Sequence, residues 1–164
     1  MTISLPMCSI DFMDNSLSPE EQAIAERITE LKQQLGPKLM VLGHHYQRDS
    51  IVMHADFIGD SFMLSQQAAE SDAEYIVFCG VHFMAESADI LTDDHQHVIL
   101  PNLRAGCSMA DMATLPDVES AWSEILAETG LHDPINRQSP AAIPDDGKSY
   151  LIPVTYMNSS ADLK

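Results

Sequence analysis

The chain has 164 residues, with 25 acidic against 8 basic side chains and a formal charge of −17 at neutral pH. An apolar content of 45% supports a packed core and excludes a disordered chain. No two Lys or Arg residues are adjacent, so binding to a phosphate backbone has no electrostatic footprint and no nucleic acid partner is expected.

In chain order, residues 1–17 read as a leader without clear periodicity. Asp11 and Asp14 interrupt its apolar residues, so it lacks the form of a signal peptide. No stretch reaches the length of a membrane span, and a cytoplasmic, membrane-free location is the expectation. Ser18-Pro19-Glu20-Glu21 then predicts a helix start, with Ser18 as N-cap, Pro19 at the first helical position and Glu21 completing a capping box. Ile24, Ile28, Leu31 and Leu35 follow at helical spacing, and Gly36-Pro37 ends the helix.

Lys38 to Gly43 predicts a short buried strand that runs into Gly43-His44-His45-Tyr46-Gln47. Asp60 to Ser71 suits a helix with Phe62, Leu64, Ala68 and Ala69 as its apolar positions. Tyr75-Ile76-Val77-Phe78-Cys79-Gly80 is a continuous apolar run, the pattern of a strand buried on both faces. A helix over Phe83 to Leu91, a strand at Val98 to Pro101 and a helix over Val118 to Thr129 complete the alternation. Alternating strands and helices predict an α/β fold, a short parallel sheet flanked by helices.

Residues 18–130 therefore form a first α/β domain, and the Pro-, Asp- and Gly-rich stretch 131–149 reads as a linker. Residues 150–164 read as the start of a second α/β domain, with Tyr150 to Val154 as its first strand. Leu151-Ile152-Pro153-Val154 lines up with Leu39-Met40-Val41-Leu42, which matches His44 to Tyr156 and Tyr46 to Asn158, as an internal repeat would.

Ligands of open parallel sheets gather at the carboxyl ends of the strands. The polar residues expected there are His44, His45, Tyr46 and Gln47, then His82, Cys107, Tyr156 and Asn158. His54, His95, His97 and His132 read as ordinary surface residues, and the stretch around His82 as a strand-to-helix turn. Of the three cysteines, Cys8 falls in the leader and Cys79 inside an apolar strand, where a thiol is structural. Cys107 differs. Gly106 permits close approach, and the helical look of Ser108 to Met112 predicts a thiolate stabilised at a helix N-terminus. One cysteine cannot hold a cluster, and the residues alone lead no further.

Five blocks together resemble quinolinate synthases. They are Gly43-His44-His45-Tyr46-Gln47-Arg48-Asp49, Ala55-Asp56-Phe57-Ile58-Gly59-Asp60-Ser61, and Val77 through Ala88 with Gly80-Val81-His82-Phe83-Met84 at its centre. Ala105-Gly106-Cys107-Ser108-Met109-Ala110-Asp111-Met112 and Val154 through Ala161 complete the series. The resemblance implies the first of three similar α/β domains around a central site, each donating one cysteine to a [4Fe-4S] cluster. It implies a transferase of NAD biosynthesis that condenses iminoaspartate with dihydroxyacetone phosphate to quinolinate, with the open iron acting as Lewis acid.

On the same basis Cys107 is a cluster ligand. His44, Ser61, Tyr156, Met157 and Asn158 bind substrate, and Tyr46 and His44 act in catalysis. L-aspartate oxidase is the implied functional partner as the iminoaspartate source. Family members are longer, so the chain is expected to be either a fragment of a complete enzyme or a short protein, ending early in the second domain in both cases. The alternative is a non-catalytic α/β domain that binds a small anionic metabolite.

Overall fold

The structure, a computed structural model, describes residues 17–135 and 147–164. Most of the leader, Cys8 included, and linker residues 136–146 lie outside the described residues. The first helix, α1 (Pro19–Leu35), begins as the sequence predicts. Ser18 and Glu21 form the reciprocal capping box, and Gly36 ends the helix at φ 55°, a backbone conformation that favours glycine.

Then follow β1 (Leu39–His44), a short α2 (Asp49–Val52), β2 (Phe57–Gly59), α3 (Ser61–Ala69) and β3 (Tyr75–Cys79). The remaining elements are α4 (His82–Leu91), β4 (His97–Ile99) and α5 (Leu115–Thr129). The four strands form one parallel sheet in the order β2-β1-β3-β4. This is the expected α/β architecture. The sequence pattern did not predict β2 and α2: three residues and one helical turn are too short to show a period.

The two faces of the sheet differ. Leu42, Ile76 and Phe78 point to one side and pack with Leu64 and Ala68 of α3 and Phe83, Met84 and Ala88 of α4. Each buried Leu, Ile, Phe or Met side chain here contributes roughly 1.5–3 kcal/mol. Gln96 closes the far end of this layer. Its amide donates to the Ser71 carbonyl (2.9 Å) and the Ala73 carbonyl (3.2 Å), and its side-chain oxygen accepts from Asp93 N–H (3.0 Å).

Leu39, Val41, Tyr75, Val77 and Cys79 point the other way. With Ile28, Leu31 and Leu35 of α1 they line an apolar cavity of about 760 Å³. β3 is therefore not buried on both faces, as its composition suggested: its residues alternate between half-exposed and buried. A continuous apolar run cannot show which side lacks a cover. α1 buries none of its residues fully, and Phe62, expected on the inner side of α3, is exposed. What fastens α1 is polar. Lys32 Nζ donates to the His54 carbonyl (2.6 Å) and to Asp56 Oδ1 (2.7 Å), while Asp56 Oδ2 accepts from Val41 N–H (2.8 Å).

Tyr150 to Val154 is not a strand. Tyr150 forms one isolated bridge with His132, and Ile152 and Val154 are exposed. An apolar segment becomes a strand only where a neighbour offers a hydrogen-bonding edge, and here one residue pair does so. The sequence likeness to β1 thus has no structural counterpart among the described residues.

Candidate functional site

β1 ends at His44, and the chain turns sharply there, with Gln47 N–H donating to the His44 carbonyl (2.9 Å). His44 lies on the same face as Leu42 and is buried. Its ring meets those of His45 and Tyr46 at centroid distances of 4.2 and 4.0 Å. Tyr46 N–H donates to His44 Nδ1 at 3.4 Å, so this nitrogen accepts and the proton of the neutral ring sits on Nε2. Burial pushes the His44 imidazole below its ordinary pKa and His45 adds to the shift, while the Asp60 carboxylate opposes it. The result is a neutral, buried imidazole with a donor N–H to offer.

Tyr46 stands over His44 and is about half exposed. Burial raises its phenol pKa, and the neighbouring Cys107 sulfur raises it further. Cys107, 61 positions away in the chain, is thus near enough for its charge to disfavour ionisation of Tyr46. Cys107 is half-buried and packs against the core formed by α3, α4 and the sheet. A Cβ on Gly106 would lie 3.0 Å from Asp111 Oδ2, so the chain approaches that side chain more closely than most residues allow.

The helix expected after Cys107 is only a three-residue 3₁₀ turn, Ala110–Met112. The Cys107 carbonyl accepts from Asp111 N–H (2.9 Å). Stabilisation of a thiolate by a helix dipole was expected here and has little to rest on, because a single tight turn sums few peptide dipoles.

Ser61 opens α3 and is buried. Asp60 caps this helix and its Oδ1 accepts from Phe62 N–H (3.0 Å) and Met63 N–H (2.9 Å). The α3 N-terminus therefore spends two of its donors on its own cap, which leaves fewer for an anion. Arg48, the cation of the first loop, is the N-cap residue of α2. It also acts on Glu21, whose carboxyl pKa is lowered first by the Ser18 hydrogen bonds and then by this charge.

Tyr156, Met157 and Asn158 reach the domain by another route. Met157 packs against the core, and Asn158 is half-buried, but Tyr156 is 78% exposed. The turn is held by Ser159, whose hydroxyl donates to the Tyr156 carbonyl (2.9 Å) and whose N–H donates to the Met157 carbonyl (2.9 Å).

His82 is exposed and starts α4. Its N–H donates to the Ala105 carbonyl (2.8 Å), two residues before Cys107. His54, expected at the surface, is buried between α2 and β2, with its imidazole pKa lowered first by burial and then by Lys32. Cys79 behaves as expected of a structural thiol: burial pushes its pKa up. Asp60 and Glu86 were not singled out from the sequence. An Asp immediately before a helical run was the available signal for the first, and i,i+4 spacing from His82 for the second.

The family model for quinolinate synthetase A protein matches residues 26–164. The chain belongs to this quinolinate synthase family. Among its relatives is a quinolinate synthase of Acidobacterium capsulatum, 49% identical over 152 residues, an alignment covering 93% of this chain and 36% of that protein. A quinolinate synthase of a Nocardioides species is 55% identical over 145 residues, covering 88% of the chain and 32% of the relative. That of Streptomyces coelicolor is 51% identical over 148 residues, covering 90% and 33%. The chain thus spans about a third of the length of the curated relatives it matches. Among the described residues no helix is long and apolar enough to cross a membrane.

Proposed function

We propose that the chain contributes part of the active site of a quinolinate synthase, which condenses iminoaspartate with dihydroxyacetone phosphate in NAD biosynthesis. The observation that supports this reading is the packing of the Tyr46 ring on buried His44 at the carboxyl end of β1, 4.0 Å between centroids, with Cys107 near enough for its charge to act on Tyr46. Neutral His44 donates its Nε2 proton to a substrate carboxylate without placing a second full charge in a buried site. Tyr46, with its raised pKa, keeps its proton at neutral pH and acts as a positioned donor beside the reacting carbons. Ser61, Tyr156, Met157 and Asn158 complete the iminoaspartate contacts.

A [4Fe-4S] cluster, when bound, supplies an iron that acts as a Lewis acid on a substrate oxygen. Among the described residues no three His, Cys, Asp or Glu side chains gather as a metal site. These residues alone therefore do not fit a whole cluster. Cys107 would be one of the cluster's ligands. The iminoaspartate comes from an L-aspartate oxidase, and both proteins act in the cytoplasm.

The test is quinolinate formation by the complete gene product, purified without oxygen and given iminoaspartate and dihydroxyacetone phosphate. Production that falls at least about a hundredfold in Tyr46→Phe and in His44→Ala supports the assignment. A second reading, a non-catalytic domain that binds a small anionic metabolite, draws on the lack of three gathered metal-ligating side chains among the described residues. Dicarboxylate binding with no quinolinate formed would decide for it.

A further inference from the structure

α4 touches two parts of the candidate site that are far apart in sequence. At its first residue, the His82 N–H holds the Ala105 carbonyl and with it the loop that carries Cys107 (2.8 Å). One turn later, Glu86 Oε2 accepts from Ala161 N–H at 3.2 Å, 75 positions away in the chain. Its other oxygen lies 3.4 Å from His82 Nδ1. The Glu86 side chain is 29% exposed, so water competes only weakly for it.

A second tie runs parallel to the first. Lys164 Nζ donates to the Ser159 carbonyl (2.7 Å) and to Ser87 Oγ (3.3 Å), and it lies 5.3 Å from the Phe83 ring centre. Between these ties, Ser159 is buried and closes the turn that presents Tyr156 to Asn158.

We propose that Glu86 is a positioning residue: it fastens the Tyr156–Ser159 turn to α4 and so sets that turn relative to the Cys107 loop. Glu86 does not touch substrate in this account. It acts through Ala161, and its part in substrate affinity rests on the reading of Tyr156 to Asn158 as iminoaspartate contacts. A hydrogen bond from a backbone N–H to a charged carboxylate is among the stronger ones in a protein, so its loss is measurable. Glutamine retains a side-chain oxygen that can accept the same N–H, whereas alanine does not.

Two measurements test this. The first is hydrogen exchange at the Ala161 amide of this chain, compared between wild type, Glu86→Ala and Glu86→Gln. Exchange about tenfold faster in Glu86→Ala and within about threefold of wild type in Glu86→Gln is expected. Unchanged exchange in Glu86→Ala overturns the proposal, and so does a Gln variant no better than Ala.

The second measurement is made on the complete gene product. The KM for iminoaspartate should rise about tenfold in Glu86→Ala with kcat within about twofold of wild type, and Gln should restore it. Faster exchange with an unchanged KM also overturns the positioning role. If the wild type forms no quinolinate, the functional reading falls, while exchange at Ala161 still decides whether Glu86 holds the turn.

Discussion

The two faces of the sheet are built from alternate residues of the same strands, yet they have opposite characters. On one, Leu42, Ile76 and Phe78 are sealed beneath α3 and α4, and the layer ends in His44. On the other, Val41, Val77 and Cys79 face a cavity of about 760 Å³ that α1 covers incompletely. The candidate site grows from the sealed face. A neutral buried histidine needs rigid, dry neighbours to keep its proton state, and that face supplies them for His44.

The contrast should be sharpest in truncations of β3. Phe78→Ala removes a fully buried ring and should cost about 3–5 kcal/mol in urea unfolding, against about 1 kcal/mol for Val77→Ala on the open side. Equal losses would mean that the cavity is absent in solution and the faces are alike.

Additions give the converse test. A larger side chain at Ala88, which is wholly buried, has nowhere to go, so Ala88→Leu should cost about 1–3 kcal/mol. Val77→Leu extends into the cavity and should stay within about 0.5 kcal/mol of wild type. A Val77→Leu penalty as large as that at Ala88 would show that the open side is filled.

Most of the fold was legible in the sequence. The capping box at Ser18, the apolar run of β3 and the alternation of strands and helices are local patterns, and they predicted the α/β fold. What could not be read depends on contacts between distant segments. Whether Val77 is covered depends on where α1 lies. Whether Tyr150 to Val154 pairs depends on a neighbouring edge, and the burial of His54 depends on Lys32 and the α2 turn. At the site, His44 and Tyr46 could be linked by their spacing in one loop. Cys107 was expected at the same end of the sheet, but the hydrogen bond from His82 N–H to the Ala105 carbonyl that fixes its loop joins distant segments and could not be read.

A smaller effect is the response to pH. The folded-state pKa of His44 is lowered chiefly by burial. Near neutral pH the ring is uncharged in both folded and unfolded chains, so its contribution is constant. As pH falls below the ordinary histidine value of about 6.5, the unfolded chain binds a proton that the folded chain refuses, and stability declines. His54 adds in the same direction. His44→Gln should flatten the acid slope of stability, measured by urea unfolding between about pH 7 and pH 5. An unaltered slope in His44→Gln would show that the ring is not held neutral by its surroundings.

The most direct test of the site compares two cysteines of the complete gene product by iron content, visible iron–sulfur absorbance and quinolinate formation. Cys107, beside Tyr46, and Cys79, on the cavity side, exchange one atom each when replaced by serine. The account predicts that Cys107→Ser loses most of the iron and the activity, while Cys79→Ser keeps both and loses only some stability. Full iron and full quinolinate formation in Cys107→Ser would contradict it.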